Sequence, residues 1–307
     1  MRPSLAFGVA RMFLGIGLVA AAAHDAVAAG ILVRVKTATL YVEARGGPPG
    51  TPLVIVNGGP GFAHDYMTPT DAWDRLAGHR RVVLYDQRGV GRSPALTAKQ
   101  TCTLADQIED LDGVRKSLGV ERMDLFGHSW GGYLVMAYVA RHPEHVSRLL
   151  ICDSAAPKWS DTEFMFKQFY PDGVTKQEGM QFAEAMGDSA MMREDIRVYM
   201  GMLFWSPKNR DRYMVNMSKY PYDLRVNKLL NDDLARFDLN PELPKFKCPT
   251  LVMTGRYDAN VAPSTAWKIY RAIPGARFHV FESSGHLPWF EEPDAFVTVV
   301  EEFLTTS

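Results

Sequence analysis

Short apolar runs recur along this chain, bounded by glycine, proline and charged residues, and over much of its length they alternate with stretches of helical spacing. Ile31–Val35, Leu40–Ala44, Leu53–Val56, Arg81–Tyr85, Met123–Phe126, Val146–Cys152, Thr250–Thr254 and Arg277–Phe281 read as strands. The first two follow each other closely and predict an antiparallel hairpin. From the third onward helical segments intervene, which predicts right-handed crossovers and a mostly parallel sheet. Thr103–Leu118 illustrates the helices. Leu104, Ile108, Leu111, Val114 and Leu118 recur at steps of four and three, giving one apolar face to set against the sheet, and Gly119 can end the helix. Between about Ala155 and Glu242 the alternation stops, and Met, Phe, Tyr and charged residues take over at helical spacing. The pattern therefore predicts a core in two pieces, residues 29–154 and 243–307, and a helical cap at 155–242 inserted after the sixth strand.

The N-terminus follows a different pattern. Arg2 and Arg11 precede an apolar stretch from Met12 to Ala23, and Ala26-Val27-Ala28 supplies small residues for cleavage. Residues 1–28 read as a signal peptide that directs the protein to a periplasm or the medium, with no stable membrane association after cleavage. An uncleaved anchor is the alternative, although a membrane span needs about 20 apolar residues. The formal net charge of −1 offers no electrostatic case for nucleic acid or an anionic membrane. Cys102, Cys152 and Cys248 make an odd count, so at least one stays unpaired within the chain, and no essential disulfide is expected. None of the eight histidines has a metal-ligand spacing, so no metal and no cofactor are expected. Oligomeric state is left open.

The chemistry concentrates at Gly127-His128-Ser129-Trp130-Gly131-Gly132. Between the strand Met123–Phe126 and a helix from Tyr133 to Ala140, Ser129 falls on a strand-to-helix turn, the context a nucleophile elbow requires. Glycines two positions to either side allow the close approach of neighbouring backbone. A serine hydroxyl needs a base to take its proton during attack. On folds built this way the partners follow in the chain order serine, acid, histidine. Asp258 lies on the loop after Thr250–Thr254, and His286 follows Arg277–Phe281, so both fall at the carboxyl ends of strands. A further turn, Asn57-Gly58-Gly59-Pro60-Gly61, follows Leu53–Val56. Its Gly59 N–H, paired with that of Trp130, is the expected cradle for an oxyanion, each such donor being worth about 10²- to 10³-fold in rate.

On these residues, together with His64-Asp65-Tyr66, Asp86-Gln-Arg-Gly-Val-Gly-Arg-Ser93 and Gly255-Arg-Tyr-Asp258, the chain from about Ile31 onward resembles α/β-hydrolases of the proline iminopeptidase (prolyl aminopeptidase) group of serine peptidases. The resemblance implies the α/β-hydrolase fold, a mostly parallel eight-stranded sheet with helices on both faces and an inserted helical cap. It makes Ser129 the nucleophile, Asp258 the acid and His286 the base, and supports Gly59 and Trp130 as the oxyanion hole. Two departures stand out. Asn57 occupies the position before Gly-Gly-Pro-Gly where the family usually has His, so a loop hydrogen bond must be made differently. The family's cap glutamates, which hold a substrate α-ammonium, lack their usual surroundings here.

Acidic residues do occur in the inserted region, namely Asp161, Glu163, Glu178, Glu184, Glu194 and Asp195, and charged side chains of this kind normally form a solvated face. Phe164, Met165, Phe169, Met202, Phe204 and Trp205 are candidates to line an apolar pocket, or else to pack within the cap. His64, just beyond the Gly-rich turn, is a candidate substrate contact or a surface-loop residue. His128 should point away from the reacting centre. Asp86 and Arg88 are expected to tie down a loop. The leading reading is an exported hydrolase that cleaves a small amide or short peptide through an acyl-enzyme on Ser129. A carboxylesterase or lactonase acting on an apolar ester, macrocyclic lactone or acyl-homoserine lactone is the alternative. A non-catalytic binding protein on a hydrolase scaffold is the remote one.

Overall fold

The computed structural model describes residues 30–46, 50–185 and 188–305, without the side chains of 181–185, 189 and 218. The segment read as a signal peptide lies outside the described residues. The strands are β1 (Ile31–Arg34), β2 (Thr39–Arg45), β3 (Leu53–Val56), β4 (Val82–Asp86), β5 (Met123–His128), β6 (Val146–Cys152), β7 (Thr250–Gly255) and β8 (Arg277–Phe281). They form one eight-stranded sheet in the order β1-β2-β4-β3-β5-β6-β7-β8. β1 and β2 pair antiparallel, as does β2 with β4, and every pairing from β3 and β4 through β8 is parallel.

Helix α1 (Ala72–Ala77) lies between β3 and β4, α2 (Leu104–Ser117) between β4 and β5, and α3 (Trp130–Arg141) between β5 and β6. The stretch between β6 and β7 adds no strand among the described residues. It carries α4 (Phe166–Phe169), α5 (Pro171–Ala185), α6 (Ser189–Gly201), α7 (Pro207–Met214) and α8 (Leu224–Leu234). α9 (Pro263–Ala272) joins β7 to β8, and α10 (Pro288–Glu291) and α11 (Pro293–Thr305) follow β8. No helix among the described residues is long and apolar enough to cross a membrane.

The central strands read as unbroken apolar runs because both faces of the sheet are covered. Side chains alternate across a strand, so each run serves two cores. Leu53 and Ile55 of β3, Val82 and Leu84 of β4 and Phe126 of β5 pack with α1, α10 and α11. Val54, Val56, Val83, Tyr85 and Leu125 face the other way, onto α2, α3 and α9. α2 starts one residue later than its pattern predicts because Thr103 caps it. The Thr103 hydroxyl accepts from Asp106 N–H and the Asp106 carboxylate accepts from Thr103 N–H, a capping box. Leu118 closes the helix, and Gly119 turns the chain with φ 69°. The inserted helices join both cores, α8 through Val226, Leu230 and Leu234, and α6 and α7 through Met200 and Tyr213. Cys102, Cys152 and Cys248 are free thiols.

Parallel strands all deliver their carboxyl ends to one edge, and ligands of open α/β sheets bind there. The loops carrying Gly59, Ser129, Asp258 and His286 leave β3, β5, β7 and β8 at that edge.

Candidate active site

β5 runs two residues further than its apolar pattern, to His128, and α3 begins at once with Trp130. Ser129 alone makes the turn, with φ 56° and ψ −120°. A non-glycine residue held there stores on the order of 1–3 kcal/mol, so the surroundings must enforce it. They do so by close packing. A Cβ on Gly131 would strike the Val56 carbonyl, and one on Gly127 would strike the Gly131 carbonyl. Ser129 N–H donates to Cys152 O at 3.1 Å, which ties the turn to β6.

Asp258 and His286 reach the same edge. His286 Nδ1 lies 2.7 Å from Asp258 Oδ2, with both residues buried. Asp258 Oδ1 accepts from the backbone N–H groups of Asn260 at 2.8 Å and Val261 at 2.9 Å. A carboxylate held by these donors keeps the imidazole in the tautomer that carries its proton on Nδ1. His286 Nε2 then accepts from Asn260 Nδ2 at 2.9 Å, while Asn260 Oδ1 accepts from the Tyr199 hydroxyl of α6 at 3.1 Å. Asn260 gave no sequence signal of its own, and its position two residues after Asp258 is explained only by this geometry.

The Gly-rich turn is held from three sides. Asn57 Nδ2 donates to Gly58 O at 3.0 Å and Phe62 O at 2.7 Å, so the asparagine itself closes the loop. Gln87 joins it to the elbow, donating to Asn57 O at 2.9 Å and accepting from Trp130 Nε1 at 2.9 Å. From the inserted region, Asp223 N–H donates to Gly61 O at 2.8 Å and Asn227 Nδ2 to Pro60 O at 2.9 Å. Gly58 N–H donates to the Tyr66 hydroxyl at 2.6 Å. Gly59, at φ 132°, lines the cleft beside Ser129. Neither its N–H nor that of Trp130 donates to a protein acceptor among the described residues.

His128 was expected to point away from the reacting centre, but its ring lies against that of His286, with centroids 4.4 Å apart. Its Nε2 sits 2.9 Å from the His286 carbonyl and its Nδ1 2.6 Å from the Tyr66 hydroxyl. A carbonyl only accepts, so Nε2 carries the proton and Nδ1 accepts from Tyr66. The chain of donors therefore runs from Gly58 through Tyr66 and His128 to the backbone of His286. Burial, and next the neighbouring His286, hold the His128 pKa well below its ordinary value, which keeps the ring neutral.

A cleft of about 260 Å³ opens above Ser129. Phe62, Trp159, Phe164, Phe166, Ile196 and Tyr222 give it apolar walls, and Gln177, Asp195, Tyr199 and Asn260 add polar groups. Of the aromatic residues read as pocket candidates, Phe164 alone lines this cleft among the described residues. Phe204 is buried against Tyr213 and Phe290 instead, because α7 and α10 close over it. Trp205 stacks on Tyr257 at the surface, and Phe169 lines a separate groove between α4, α6 and α7. Asp195 and Tyr199 stand one turn apart on α6, so helical spacing sets them on one face, but nothing local says which face meets Ser129. Glu163, Glu178 and Glu194 pair with Lys268, Lys167 and Lys176 outside the cleft. The Glu184 side chain lies outside the described residues.

His64 corrects both of its sequence readings. It is 1% exposed and lies neither on a surface loop nor on the cleft. Its Nδ1 is 2.8 Å from Asp86 Oδ1 and its Nε2 3.5 Å from Glu43 Oε2. Burial disfavours the imidazolium, but the hydrogen bonds to Asp86 and Glu43 outweigh it, and the ring's pKa rises to about 9. Asp86 also accepts from Arg92 N–H at 2.8 Å, and Arg88 forms a two-pronged pair with Asp110 of α2 at 2.6 and 2.7 Å. The loop after β4 is thus fastened by both residues, each to a different partner. Among the described residues, three groups of side chains have donor atoms close enough for a metal: His142, Glu144 and His145 at the surface, His64, Asp65 and Asp86, and Asp153, Asp258 and His286. In the two inner groups those atoms are engaged in the hydrogen bonds and ion pairs of their own clusters.

The alpha/beta hydrolase fold family matches residues 51–293. The chain is 29% identical over 275 residues to a proline iminopeptidase of Heyndrickxia coagulans, a match covering 84% of this chain and 91% of that protein. It is 27% identical over 303 residues to a proline iminopeptidase of Neisseria meningitidis serogroup B, covering 86% and 92%. Among solved structures it is similar to the enol-lactonase from Burkholderia xenovorans LB400, with a TM-score of 0.62 and 26% identity over 90% of this chain and 100% of that one. With an eight-stranded sheet, a strained serine between β5 and α3, and a family match over most of its length, the chain belongs to the α/β-hydrolase fold family.

Proposed function

We propose that this chain is a serine hydrolase that releases an N-terminal residue from small peptides or amides through an acyl-enzyme on Ser129. Asp195 carries the substrate end of this reading. It is the one carboxylate lining the cleft over Ser129 among the described residues. Gln177 Nε2 donates to its Oδ1 at 2.7 Å, which orients the group and leaves Oδ2 for a substrate ammonium. A charge on the cleft wall would hold the free amine while the adjoining carbonyl meets the serine. The similarity to proline iminopeptidases supports the same substrate class.

In this mechanism His286 Nε2 takes the Ser129 proton during attack. Asp258 stabilises the imidazolium, and the N–H groups of Gly59 and Trp130 receive the oxyanion. Nε2 accepts from Asn260 in the resting arrangement, so attack requires that amide to give way to the serine hydroxyl. The imidazolium then protonates the leaving amine, and water reverses the steps. A second reading, an esterase or lactonase, is favoured by the apolar walls of the cleft and by the likeness to an enol-lactonase.

The test measures kcat/KM for proline 4-nitroanilide, its N-acetyl counterpart, 4-nitrophenyl butyrate and an acyl-homoserine lactone, with Ser129→Ala as control. The expected result is turnover of the free-amine anilide but not the acetylated one. Asp195→Asn should raise KM for the anilide by about 10- to 100-fold, the worth of a charged hydrogen bond, and leave the ester unaffected. Efficient opening of ester or lactone beside an inert anilide would establish the second reading. Turnover retained in Ser129→Ala would refute the mechanism. The reading includes export, supported by the basic and apolar pattern before Ala28, and N-terminal sequencing of periplasmic or secreted protein should find a start near residue 29.

A further inference from the structure

Asp153 takes no part in the steps above, yet it sits beside them. It follows β6, is 1% exposed and adopts φ 47°, a conformation that aspartate tolerates better than most residues. Its backbone N–H donates to Met253 O at 3.0 Å. Its Oδ1 accepts from Gly255 N–H at 2.8 Å and from the Thr254 hydroxyl at 3.2 Å, and its Oδ2 from the Cys152 thiol at 3.0 Å. The carboxyl group is thereby fixed across the ends of β6 and β7. One of its oxygens, a carboxylate oxygen of Asp258 and a ring nitrogen of His286 all lie within 4.8 Å of one another.

Two buried carboxyl groups this close cannot both be ionised, because each would face an uncompensated like charge in a medium of low dielectric. Asp258 has the better claim to the charge, with two backbone N–H donors and the imidazole N–H. The titratable groups facing Asp153 are Cys152 on β6, Asp258 beyond β7 and His286 beyond β8. His128, opposite Cys152 on β5, is neutral. Burial, and then the charge of Asp258, push the Asp153 carboxyl well above the usual range.

We propose that Asp153 is a neutral carboxylic acid that donates its proton to Asp258, so that His286 is served by a carboxyl–carboxylate pair carrying one negative charge, with Asp153 as its positioning member. This rests on the reading of Asp258 and His286 given above. Two consequences follow from the shared proton. A neutral donor should replace Asp153 with little loss. Removing the Asp258 carboxylate should free Asp153 to ionise and supply the missing charge to the imidazolium.

The experiment compares pH profiles of kcat/KM for wild type, Asp153→Asn, Asp258→Ala and the double variant, on whichever substrate wild type turns over best. Asp153→Asn should stay within about threefold of wild type, with an unchanged acid limb. Asp258→Ala should regain activity as pH rises and exceed the double variant by about tenfold or more at its best pH. Equal activity of Asp258→Ala and the double variant at every pH would overturn the proposal, as would a loss in Asp153→Asn as deep as that in Asp258→Ala. Infrared spectra of protein labelled only at its aspartate carboxyls supply a readout free of activity. A protonated-carboxyl C=O band should persist above neutral pH and vanish in Asp153→Asn or, where that variant does not fold, in Asp153→Ser. A missing band in wild type would sink the shared proton even if Ser129→Ala proves inert, whereas turnover in Ser129→Ala would sink the underlying mechanism and leave the band intact.

Discussion

His64 should make the stability of this protein fall as pH rises through the range in which most proteins are indifferent. Its ring is 1% exposed, with Asp86 2.8 Å from Nδ1, and Glu43 at 3.5 Å and the Arg92 guanidinium at 3.2 Å from Nε2; the hydrogen bonds to the two carboxylates raise its pKa from 6.5 to about 9 despite burial. A rise of that size corresponds to about 3 kcal/mol at 1.36 kcal/mol per pH unit. Because the folded state binds the proton more tightly, the contribution is complete below about pH 6.5 and lost as pH climbs toward 9. The lowered pKa values of Glu43 and Asp86 report the same interactions from the other side and are not added to it. His128 acts in the opposite sense: its depressed pKa makes its contribution complete above about 6.5 and lost below. Urea unfolding followed by tryptophan fluorescence at about pH 6, 7.5 and 9 reads the slope directly, with His64 expected to account for about 3 kcal/mol of the loss across the range. His64→Gln keeps a donor but cannot charge; the protonated Asp153 carboxyl makes stability fall with pH in both proteins, so the variant, less stable at the outset, should lose about 3 kcal/mol less than wild type over the same interval. An equal slope in His64→Gln, or a flat wild-type profile, would refute the reasoning.

Tyr66→Phe removes the hydroxyl that joins Gly58 N–H to His128 Nδ1, leaving two buried polar groups without a partner. A stability loss of about 2–4 kcal/mol by urea unfolding is expected. A fall in kcat of about tenfold at unchanged KM should accompany it, since in the proposed mechanism the loosened loop acts in the transition state rather than in binding. Phe164→Ala should raise KM, or shift preference among apolar substrates, by about 10-fold, whereas Phe169→Ala should leave both unchanged. Equal effects of the two phenylalanine substitutions would mean that the cleft is drawn wrongly.

Much of the sheet is legible in the chain because a strand covered on both faces leaves a mark that needs no partner to be read. Leu53–Val56 and Val82–Asp86 are apolar at nearly every position, and the structure divides alternate residues between two cores. The hairpin of β1 and β2 is legible from its short connection. The exchange of β3 and β4 in the sheet order is not, since any register that buries both faces satisfies the same pattern. Element ends shift for local reasons: β5 continues to His128 and α3 absorbs Gly131 and Gly132, whose missing Cβ atoms let the helix lie against Val56 and Ser154.

The candidate site divides along the same line. Chain order and turn residues mark Ser129, Asp258 and His286, because each stands where a strand ends and the ends of parallel strands share an edge. Asn57 shows how far such reading goes. A missing histidine signalled that the loop must be closed differently, and only the structure supplied the closure, from the Asn57 amide to Phe62 O. His64 looked like a loop residue because its charged partners Glu43 and Asp86 lie 21 and 22 positions away, on strands that reach it only after the sheet assembles. The same holds for the side of the cleft where substrate would be recognised. Helical spacing sets Asp195 and Tyr199 on one face of α6, but whether that face meets Ser129 or solvent depends on how α6 is laid over the sheet edge. By itself the sequence determined which segments are buried strands, where the serine turn falls and which residues end the strands beside it. The tertiary structure alone decided strand order, the burial of His64 and the sharing of space by Asp153 and Asp258. Local periodicity records how a residue is exposed on its own element, whereas these contacts depend on how distant elements are packed together.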